Sequence, residues 1–322
     1  MGASFASRSL HTLFRLIRVK SWANPPVLNF FIRMSRKSGA AQPSGRLRSL
    51  CHIELRKDHG DRVFRLTPRT GGEAPFHLFY VHGGAYSIDI GFVHWQFIEN
   101  LIRFTGCTAR VPLYPLAPEH GHEEALASAL AHYRDLCMQV PPERIVVMGD
   151  SAGGGLSLAL TQALGRAGLP QPGHIVLLSP WLDLTMSDPA TLAQEAHDPV
   201  IKAEAALAAA RMYAGDLPLE DPRVSPVYGD VRGLAPVTLL TGTRDLLYPD
   251  ARRLAERMQA EGQAVELWEY PDMVHAWMLL PLPEAFEARE RVAAMLMRIF
   301  GRGQSEAKTD DPTVQDASGS RR

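Results

Sequence analysis

Apolar and polar positions along residues 50–300 predict strands and helices in alternation. Two runs, "LCHIELRK" and "RVFRLTP", flank "DHGD" and predict an antiparallel hairpin. Further apolar runs follow, separated by segments whose apolar residues have helical spacing. Continuous apolar runs are typical of buried parallel strands, so the pattern predicts an α/β fold with a mostly parallel, about eight-stranded sheet and helices on both faces. The later strands are predicted at "FHLFYV", "CTARVPLY", "RIVVMG", "HIVLLSP", "VTLLTGT" and "AVELWEY".

Residues 183–232 interrupt this alternation. They contain an alanine-rich helical stretch, "IKAEAALAAARMYAG", and a proline-rich loop, "LEDPRVSPVYGD". An insertion at the carboxyl edge of a sheet often forms a lid over a site. We therefore expect residues 50–300 to form one domain that carries this insertion.

The two ends of the chain have different patterns. Near the start, apolar residues at helical spacing predict an amphipathic helix, and "NPPVLNFFIRM" predicts a second short one. We assign residues 1–49 to these N-terminal helices. Residues 301–322 are polar and aperiodic, so we expect a disordered tail. The apolar residues of the first helix are Leu10, Leu13, Phe14 and Ile17.

Charge and composition exclude several classes of protein. The net charge of −1 gives no overall field that would attract nucleic acid. Residues 1–53, however, carry nine basic and no acidic residues, so weak contact of the basic N-terminal helix with a membrane surface stays an alternative to packing on its own domain. No apolar run approaches the roughly 18 residues of a membrane span. Three scattered cysteines predict reduced thiols and a cytoplasmic protein.

The segment "RIVVMGDSAGGGLSLAL" contains Gly149-x-Ser151-x-Gly153 between a predicted strand and a predicted helix. A sharp strand-to-helix turn needs small residues on both sides of the serine, and it exposes the serine hydroxyl at the sheet edge. The helix N-terminus contributes partial positive charge there. This context predicts that Ser151 is a nucleophile.

A serine hydroxyl needs a base, and this kind of turn is followed along the chain by an acid and then a histidine. His275 is the one histidine after residue 245, and it follows the last predicted strand. Two acids follow the preceding strand, Asp245 and Asp250. We expect Asp250 to cap the next helix. Asp245 is therefore the predicted acid that orients His275.

The stretch "FYVHGGAYSIDIG" follows an earlier predicted strand and could supply backbone N–H donors for an oxyanion. Another donor is the N–H of Ala152, directly after the nucleophile. His82 is expected to anchor this loop through a hydrogen bond rather than act as acid or base. A second polar cluster, "EHGHEEA", offers side chains of metal-ligand type but lies at a predicted helix start, so we expect no metal site.

These features resemble the hormone-sensitive lipase-like (bacterial esterase and acetyl esterase) group of the α/β-hydrolase superfamily. The matching segments are "HGGA", "YPLAPEH", "GDSAGG" and "SPWLDL", and the likeness covers about residues 50–300. The resemblance implies a helical cap built from residues 1–49 and the 183–232 insertion. It also implies hydrolysis of short- to medium-chain carboxylic esters without a cofactor. The implied site comprises the triad Ser151, Asp245 and His275, the oxyanion hole Gly83, Gly84, Ala85 and Ala152, and the supporting residues His82, Gly149, Asp150 and Gly153.

Three departures from the group's pattern are visible. Ala85 replaces a third glycine, but alanine also has an N–H and needs only a backbone that tolerates its Cβ. Asp89 stands where many relatives have glycine, and we expect it to add a charge near the acyl pocket. The usual proline after "LAPEH" is missing.

Alternatives remain open at this stage. A lactonase or an amidase could use the same triad, because fold and triad do not choose the leaving group. A small-molecule binding protein that has lost the reaction is a rival of another class. The expected partner is a small ester, with no nucleic acid and no metal. A homodimer stays open.

Overall fold

The computed structural model of the chain describes residues 24–301 together with Ser4, Ala6, Ser7, Ser9 and Thr12. Within these residues a single sheet of eight strands has the order β1-β2-β4-β3-β5-β6-β7-β8. β1 and β2 form the antiparallel hairpin, β2 is antiparallel to β4, and the remaining neighbours are parallel. The strands are β1 (Cys51–Asp58), β2 (Asp61–Pro68), β3 (His77–Val81), β4 (Thr108–Leu113), β5 (Ile145–Asp150), β6 (His174–Leu178), β7 (Val237–Gly242) and β8 (Val265–Tyr270).

Nine α-helices lie within the described residues, and most of them connect one strand with the next. They are α1 (Pro25–Ser38), α2 (Gly45–Leu50), α3 (Phe92–Thr105), α4 (His122–Cys137), α5 (Ala152–Leu164), α6 (Pro189–Gln194), α7 (Ala203–Ala214), α8 (Tyr248–Ala260) and α9 (Pro283–Phe300).

The two faces of the sheet are covered by different helices, which confirms the predicted α/β class. Leu78 and Tyr80 of β3 belong to an apolar cluster with residues of α3 and α9. Their neighbours Phe79 and Val81 pack with residues of α4 and α5 on the opposite face. Alternate side chains of a strand point to opposite faces, so a strand buried on both sides must be apolar at every position.

The predicted hairpin and the six later strands are all present, and the main predicted helices are present within a few residues of their expected bounds. The two shortest helices, α2 and α6, were not expected, because six residues carry too little periodicity to predict a helix. The amphipathic helix predicted near residues 10–17 and the tail after residue 301 lie outside the described residues. No described helix has the length and apolar character needed to cross a membrane.

Two helices outside the strand–helix alternation lie near the carboxyl edge of the sheet. α1 comes from the N-terminal segment, α7 comes from the 183–232 insertion, and the two helices contact each other. Asn24 caps α1 by accepting the Val27 N–H, and two prolines begin that helix. Both helices contribute residues to the wall of the cavity described below.

Candidate active site

The turn between β5 and α5 holds Ser151 in a strained backbone conformation, with φ of 52° and ψ of −122°. A positive φ is costly for a residue other than glycine, and here it turns the hydroxyl out of the sheet. Gly153 lies two residues after Ser151, and a Cβ there would collide with the backbone oxygens of Val81 and His82. The glycine therefore lets α5 begin directly against β3.

Three polar side chains from the ends of β5, β7 and β8 form one hydrogen-bonded chain. His275 Nε2 lies 2.9 Å from the Oγ of Ser151. On the other side of the ring, His275 Nδ1 lies 3.0 Å from each carboxylate oxygen of Asp245. The structure thus brings together the three residues that chain order and placement after the predicted strands selected as a triad.

Burial and charge favour a defined protonation state at this chain. Asp245 is fully buried, and its Oδ1 accepts the N–H of Leu247 at 2.9 Å. Burial alone would lower the pKa of His275, but the facing carboxylates, first that of Asp245, outweigh burial and raise it. The neutral ring then carries its proton on Nδ1 toward Asp245 and presents Nε2 as an acceptor for the serine hydroxyl.

The loop after β3 turns sharply at Gly84, where φ is 119°. A Cβ at this position would collide with the backbone oxygen of Ile88, so the position requires glycine. Ala85 follows with φ of 52°, in the left-handed region that alanine adopts at some cost. The sequence suggested only that the backbone at Ala85 must tolerate a Cβ. The structure shows in addition that this backbone is strained.

The N–H groups around this loop have different partners. Gly83 N–H donates to Asp150 Oδ1 at 3.0 Å, so it points away from the reacting hydroxyl. This removes Gly83 from the expected oxyanion donors. The N–H groups of Gly84, Ala85 and Ala152 donate to no acceptor within the described part of the chain. They remain the candidate donors.

Asp150 connects the serine turn with the loop after β3. Its buried carboxylate accepts hydrogen bonds from Tyr80 Oη at 2.6 Å and from the Gly83 N–H. The Nε2 of His94 lies 3.3 Å from its other oxygen. Burial opposes ionisation of Asp150, but these donors keep its pKa below the ordinary value. Since Gly91 N–H donates to Nδ1 of His94, the ring proton of His94 lies on Nε2 and is given to Asp150.

His82 lies where an anchor was expected. It is fully buried, its Nδ1 lies 2.7 Å from the Gly83 oxygen, and its ring stacks on Tyr114 with centroids 4.6 Å apart. Tyr114 in turn donates to the His82 oxygen at 2.9 Å. Burial, with the neighbouring His94, lowers the pKa of His82 to about 4, so the ring is neutral and holds the loop by donating from Nδ1.

The Ser151 hydroxyl opens into a cavity of about 740 Å³ with mostly apolar walls. α1 and α7 form one side of it, and the loop after β3 and the turn between β5 and α5 form the other. Lys202 also lines the cavity. The residues that line it include Phe31, Ala85, His94, Val200, Ile201 and Lys202.

Asp89 does not lie where the sequence suggested. Its carboxylate is directed at α1, with Oδ2 accepting from Ser35 Oγ at 3.3 Å and lying 3.9 Å from Arg36 Nη1, and it does not line the described cavity. The expectation of a charge near the acyl pocket is therefore wrong. The aspartate side chain is long enough to reach the N-terminal helix, a contact that no local pattern could predict.

Asp250 also differs from its expected role. α8 begins at Tyr248, so Asp250 lies inside the first turn instead of capping it. Its buried carboxylate accepts the Asp183 N–H at 3.2 Å and lies 3.4 Å from Thr191 Oγ1. The residue thus joins α8 to the insertion, and burial, with the nearby Asp183, raises its pKa to about 8.

The "EHGHEEA" cluster begins α4. Glu124 Oε2 accepts the Gly121 N–H at 3.0 Å, which closes the first turn of the helix. Over residues 24–301 and the few described residues before them, no group of three or more His, Cys, Asp or Glu side chains is placed to hold a metal ion.

Sequence reasoning missed two residues beside the triad and its loop. Asp198 is buried in the insertion and accepts the N–H of Leu246, the residue after Asp245. Arg36 of α1 donates to the backbone oxygen of Ser87, just after the candidate oxyanion donors. "HDPV" signals a turn around Asp198, but nothing in chain order indicates that this turn returns to the triad acid.

Comparison with known proteins shows the family to which the chain belongs. Residues 78–279 match the family described as alpha/beta hydrolase fold, and the chain belongs to that family. An acetyl-hydrolase of Streptomyces hygroscopicus is 35% identical over 230 residues, which cover 70% of this chain and 77% of that protein. An esterase of Acinetobacter venetianus is 32% identical over 224 residues, which cover 67% of this chain and 73% of that protein.

A solved structure gives the finer classification. An esterase from the bacterial hormone-sensitive lipase family superposes with a TM-score of 0.74 at 30% identity, covering 86% of this chain and 99% of that one. The chain is a carboxylic ester hydrolase of this hormone-sensitive lipase-like group, as its sequence motifs indicated. The lactonase, amidase and binding-protein alternatives are not favoured by these relatives.

Proposed function

We propose that Ser151, His275 and Asp245 are the catalytic triad of a serine carboxylesterase that takes esters with short- to medium-length acyl chains. The observation that supports this most is the continuous chain of contacts from Ser151 Oγ through His275 to Asp245. It ends at a cavity with mostly apolar walls, which can take the acyl chain of an ester. A buried acid, an oriented base and a strained serine together have the features of an activated nucleophile.

In the first half of the reaction, Ser151 Oγ attacks the ester carbonyl carbon and His275 Nε2 takes the hydroxyl proton. The carbonyl oxygen becomes an oxyanion, which the N–H groups of Gly84, Ala85 and Ala152 stabilise. His275 then gives its proton to the leaving alkoxide oxygen as the C–O bond breaks. The alcohol leaves, and an acyl ester on Ser151 remains.

In the second half, His275 takes a proton from water, and the resulting hydroxide attacks the acyl carbon. The same N–H groups stabilise the second oxyanion, and the proton returns to Ser151 Oγ as the acid leaves. Asp245 stays ionised throughout and stabilises the imidazolium that forms in each half.

The cap is the part of the molecule that would select the substrate. Residues 1–49 and the 183–232 insertion are assigned to it because α1 and α7 contribute to the cavity wall. A wall that is apolar on nearly all sides favours an uncharged acyl chain.

A panel of p-nitrophenyl esters of increasing acyl length tests this assignment. We expect kcat/KM for hydrolysis to be highest among the short and medium chains.

The direct test is hydrolysis of p-nitrophenyl acetate by the purified protein and by Ser151→Ala. We expect the variant to lose at least about 10³-fold in kcat, because the covalent step is removed. Ser157→Ala on α5 is the matched control, a buried serine with no acceptor or donor contact to the triad. Equal rates in the wild-type protein and the Ser151 variant would refute the assignment.

The proposal includes a cytoplasmic location for the protein. Cys51, Cys107 and Cys137 are free thiols, which supports a cytoplasmic location. Fractionation of cells that express the full chain tests it. Homodimer formation and weak contact of the basic N-terminus with a membrane surface remain open, and light scattering and liposome flotation test them.

A further inference from the structure

A second buried carboxylate lies beside the triad. Asp198 belongs to the 183–232 insertion and is only 2% exposed. Its Oδ1 accepts the N–H groups of Val200 at 2.6 Å and Ile201 at 3.0 Å, and its Oδ2 accepts the N–H of Leu246 at 2.7 Å. Every contact made by these two oxygens is one in which they accept, so the carboxylate is bound in its ionised form.

These contacts connect two parts of the site. Val200 and Ile201 line the cavity, and the Oδ1 bonds fix the Asp198 side chain against them. Leu246 directly follows Asp245, so the Oδ2 bond fixes the backbone that carries the triad acid. The Asp198 side chain therefore links the insertion to the β7–α8 loop beside the triad acid.

Asp198 also adds charge where the reaction needs it. Burial, and then the neighbouring Asp245 carboxylate, raise the pKa of Asp198 to about 6, so the group is ionised at neutral pH and above. Asp198 is one of the carboxylates that raise the pKa of His275. In a buried site a second negative charge stabilises the imidazolium that forms during ester cleavage.

We propose that Asp198 is a positioning residue of the esterase reaction, which holds the Asp245 backbone through Leu246 and adds a second negative charge facing protonated His275. The proposal rests on the triad assignment made above. It gives the insertion a part in the chemistry in addition to its place in the cavity wall.

The groups that face His275 come from several elements, and all of them bear on its titration. Asp245 follows β7, Asp198 lies in the insertion, and Asp150 ends β5, and each of these carboxylates favours the protonated ring. Two further groups lie on the walls of the same cavity. They are His94, which donates to Asp150, and Lys202, whose amine lies 3.9 Å from Glu204.

The test is Asp198→Asn, which keeps the shape of the side chain and removes its charge. We expect kcat for p-nitrophenyl acetate to fall about tenfold with KM within about twofold. The acid limb of the pH profile of kcat/KM should move about one pH unit lower, since one unit of pKa corresponds to a tenfold effect. The position of this limb does not depend on the fraction of folded protein, so it remains readable if the variant is less stable.

Asp221→Asn is the matched control. Asp221 lies in the same insertion and its Oδ1 accepts the N–H two residues on, that of Arg223 at 2.9 Å, as Asp198 does with Val200. It makes no contact with the triad, and its variant should keep the wild-type limb and kcat.

Titration with a fluorophosphonate gives the concentration of active sites, so each measured rate can be expressed per active site. It also separates the role of Asp198 from the assignment of the triad. Labelling of Ser151 with an unmoved limb in Asp198→Asn would overturn the role of Asp198 and leave the triad intact. Absence of labelling in the wild-type protein would instead overturn the triad. A lower melting temperature together with an unmoved limb would likewise reduce Asp198 to a structural residue.

Discussion

At the scale of single residues, backbone strain lies at the positions that would contact the reacting carbonyl. Ser151 and Ala85 both have φ of 52°, and Tyr86 follows Ala85 with 56°. Each such residue costs on the order of 1–2 kcal/mol, and the surrounding hydrogen bonds must hold it there. The site therefore uses part of the fold's stability to aim a hydroxyl and backbone N–H groups.

Ala85→Gly should raise stability without loss of activity. Glycine removes the left-handed strain but loses more conformational entropy on folding, so the net gain should be about 0.5–1 kcal/mol. The N–H donor is retained, so kcat/KM should stay within about twofold. Chemical denaturation and ester hydrolysis measure the two effects.

The control for this substitution is Ala208→Gly in the middle of α7. Its backbone is helical, so glycine there should lower stability by about 0.5–1 kcal/mol. If both substitutions destabilise the protein equally, the left-handed strain at Ala85 is not significant.

The positions of the candidate triad residues could be predicted from sequence, because the reaction needs a serine, an acid and a histidine in a known order. The contacts of other single residues could not. Ser151, Asp245 and His275 could be selected because each follows a predicted strand and because they occur in the expected order of serine, acid and histidine. The structure places all three within hydrogen-bonding distance in the order Ser151–His275–Asp245. Their catalytic role stays a prediction. Asp89 was misjudged because its partner, α1, is more than 50 residues away in sequence.

At the scale of elements, Arg36 is one of the side chains that hold α1 against the loop after β3. Arg36 donates to the backbone oxygens of Ser87 at 3.0 Å and Ala117 at 2.8 Å. It also pairs with Glu119 at 2.8 Å, which lowers the pKa of that carboxyl. A guanidinium can hold three acceptors at once because its donors are fixed in one plane.

Arg36→Met should release this loop while keeping most of the apolar stem. We expect a loss of about 2 kcal/mol in the free energy of unfolding, typical of bonds to a charged group. We expect kcat/KM to fall roughly tenfold, because the donors of Gly84 and Ala85 are no longer held in position. Arg33→Met on the exposed side of α1 is the control and should change neither quantity appreciably. Similar losses in both variants would contradict the role of Arg36 in holding the loop after β3.

Asp250 provides a pH-dependent link between α8 and the insertion. Its pKa of about 8 means that the folded chain keeps a proton that the unfolded chain loses near the ordinary value of 3.8. The folded state therefore binds more protons between about pH 4 and pH 8, and the contribution of Asp250 to stability falls as pH rises through that window.

Asp250→Asn should remove this dependence. The amide oxygen can accept the Asp183 N–H, as the carboxyl does, and the side chain can no longer ionise. Relative to wild type, the variant should gain up to about 1.4 kcal/mol per pH unit from pH 5 to pH 8, measured by urea unfolding.

Asp230→Asn serves as its control, because Arg232 keeps the pKa of exposed Asp230 below its ordinary value and outside this window. The effect of Asp230→Asn should not vary between pH 5 and pH 8. Parallel stability curves for wild type and Asp250→Asn would show that Asp250 is ionised in the folded state.

At the scale of the whole molecule, the sheet was predictable because its strands are long apolar runs and its helices are periodic. Parallel strands place their carboxyl ends at one edge, so the loops after β3, β5, β7 and β8 had to meet there. The contacts of Arg36, Asp89 and Asp198 were not predictable. They join segments that are far apart in the chain, and no local pattern specifies which of them touch.

The whole site then depends on one reactive hydroxyl, and covalent labelling measures its reactivity directly. The purified protein is treated with a fluorophosphonate, and its intact mass and the modified peptide are determined by mass spectrometry. We predict one adduct per chain, located on Ser151, complete loss of ester hydrolysis, and no adduct on Ser151→Ala. An unlabelled Ser151 in a protein that still hydrolyses p-nitrophenyl acetate would contradict the assignment of Ser151 as the nucleophile.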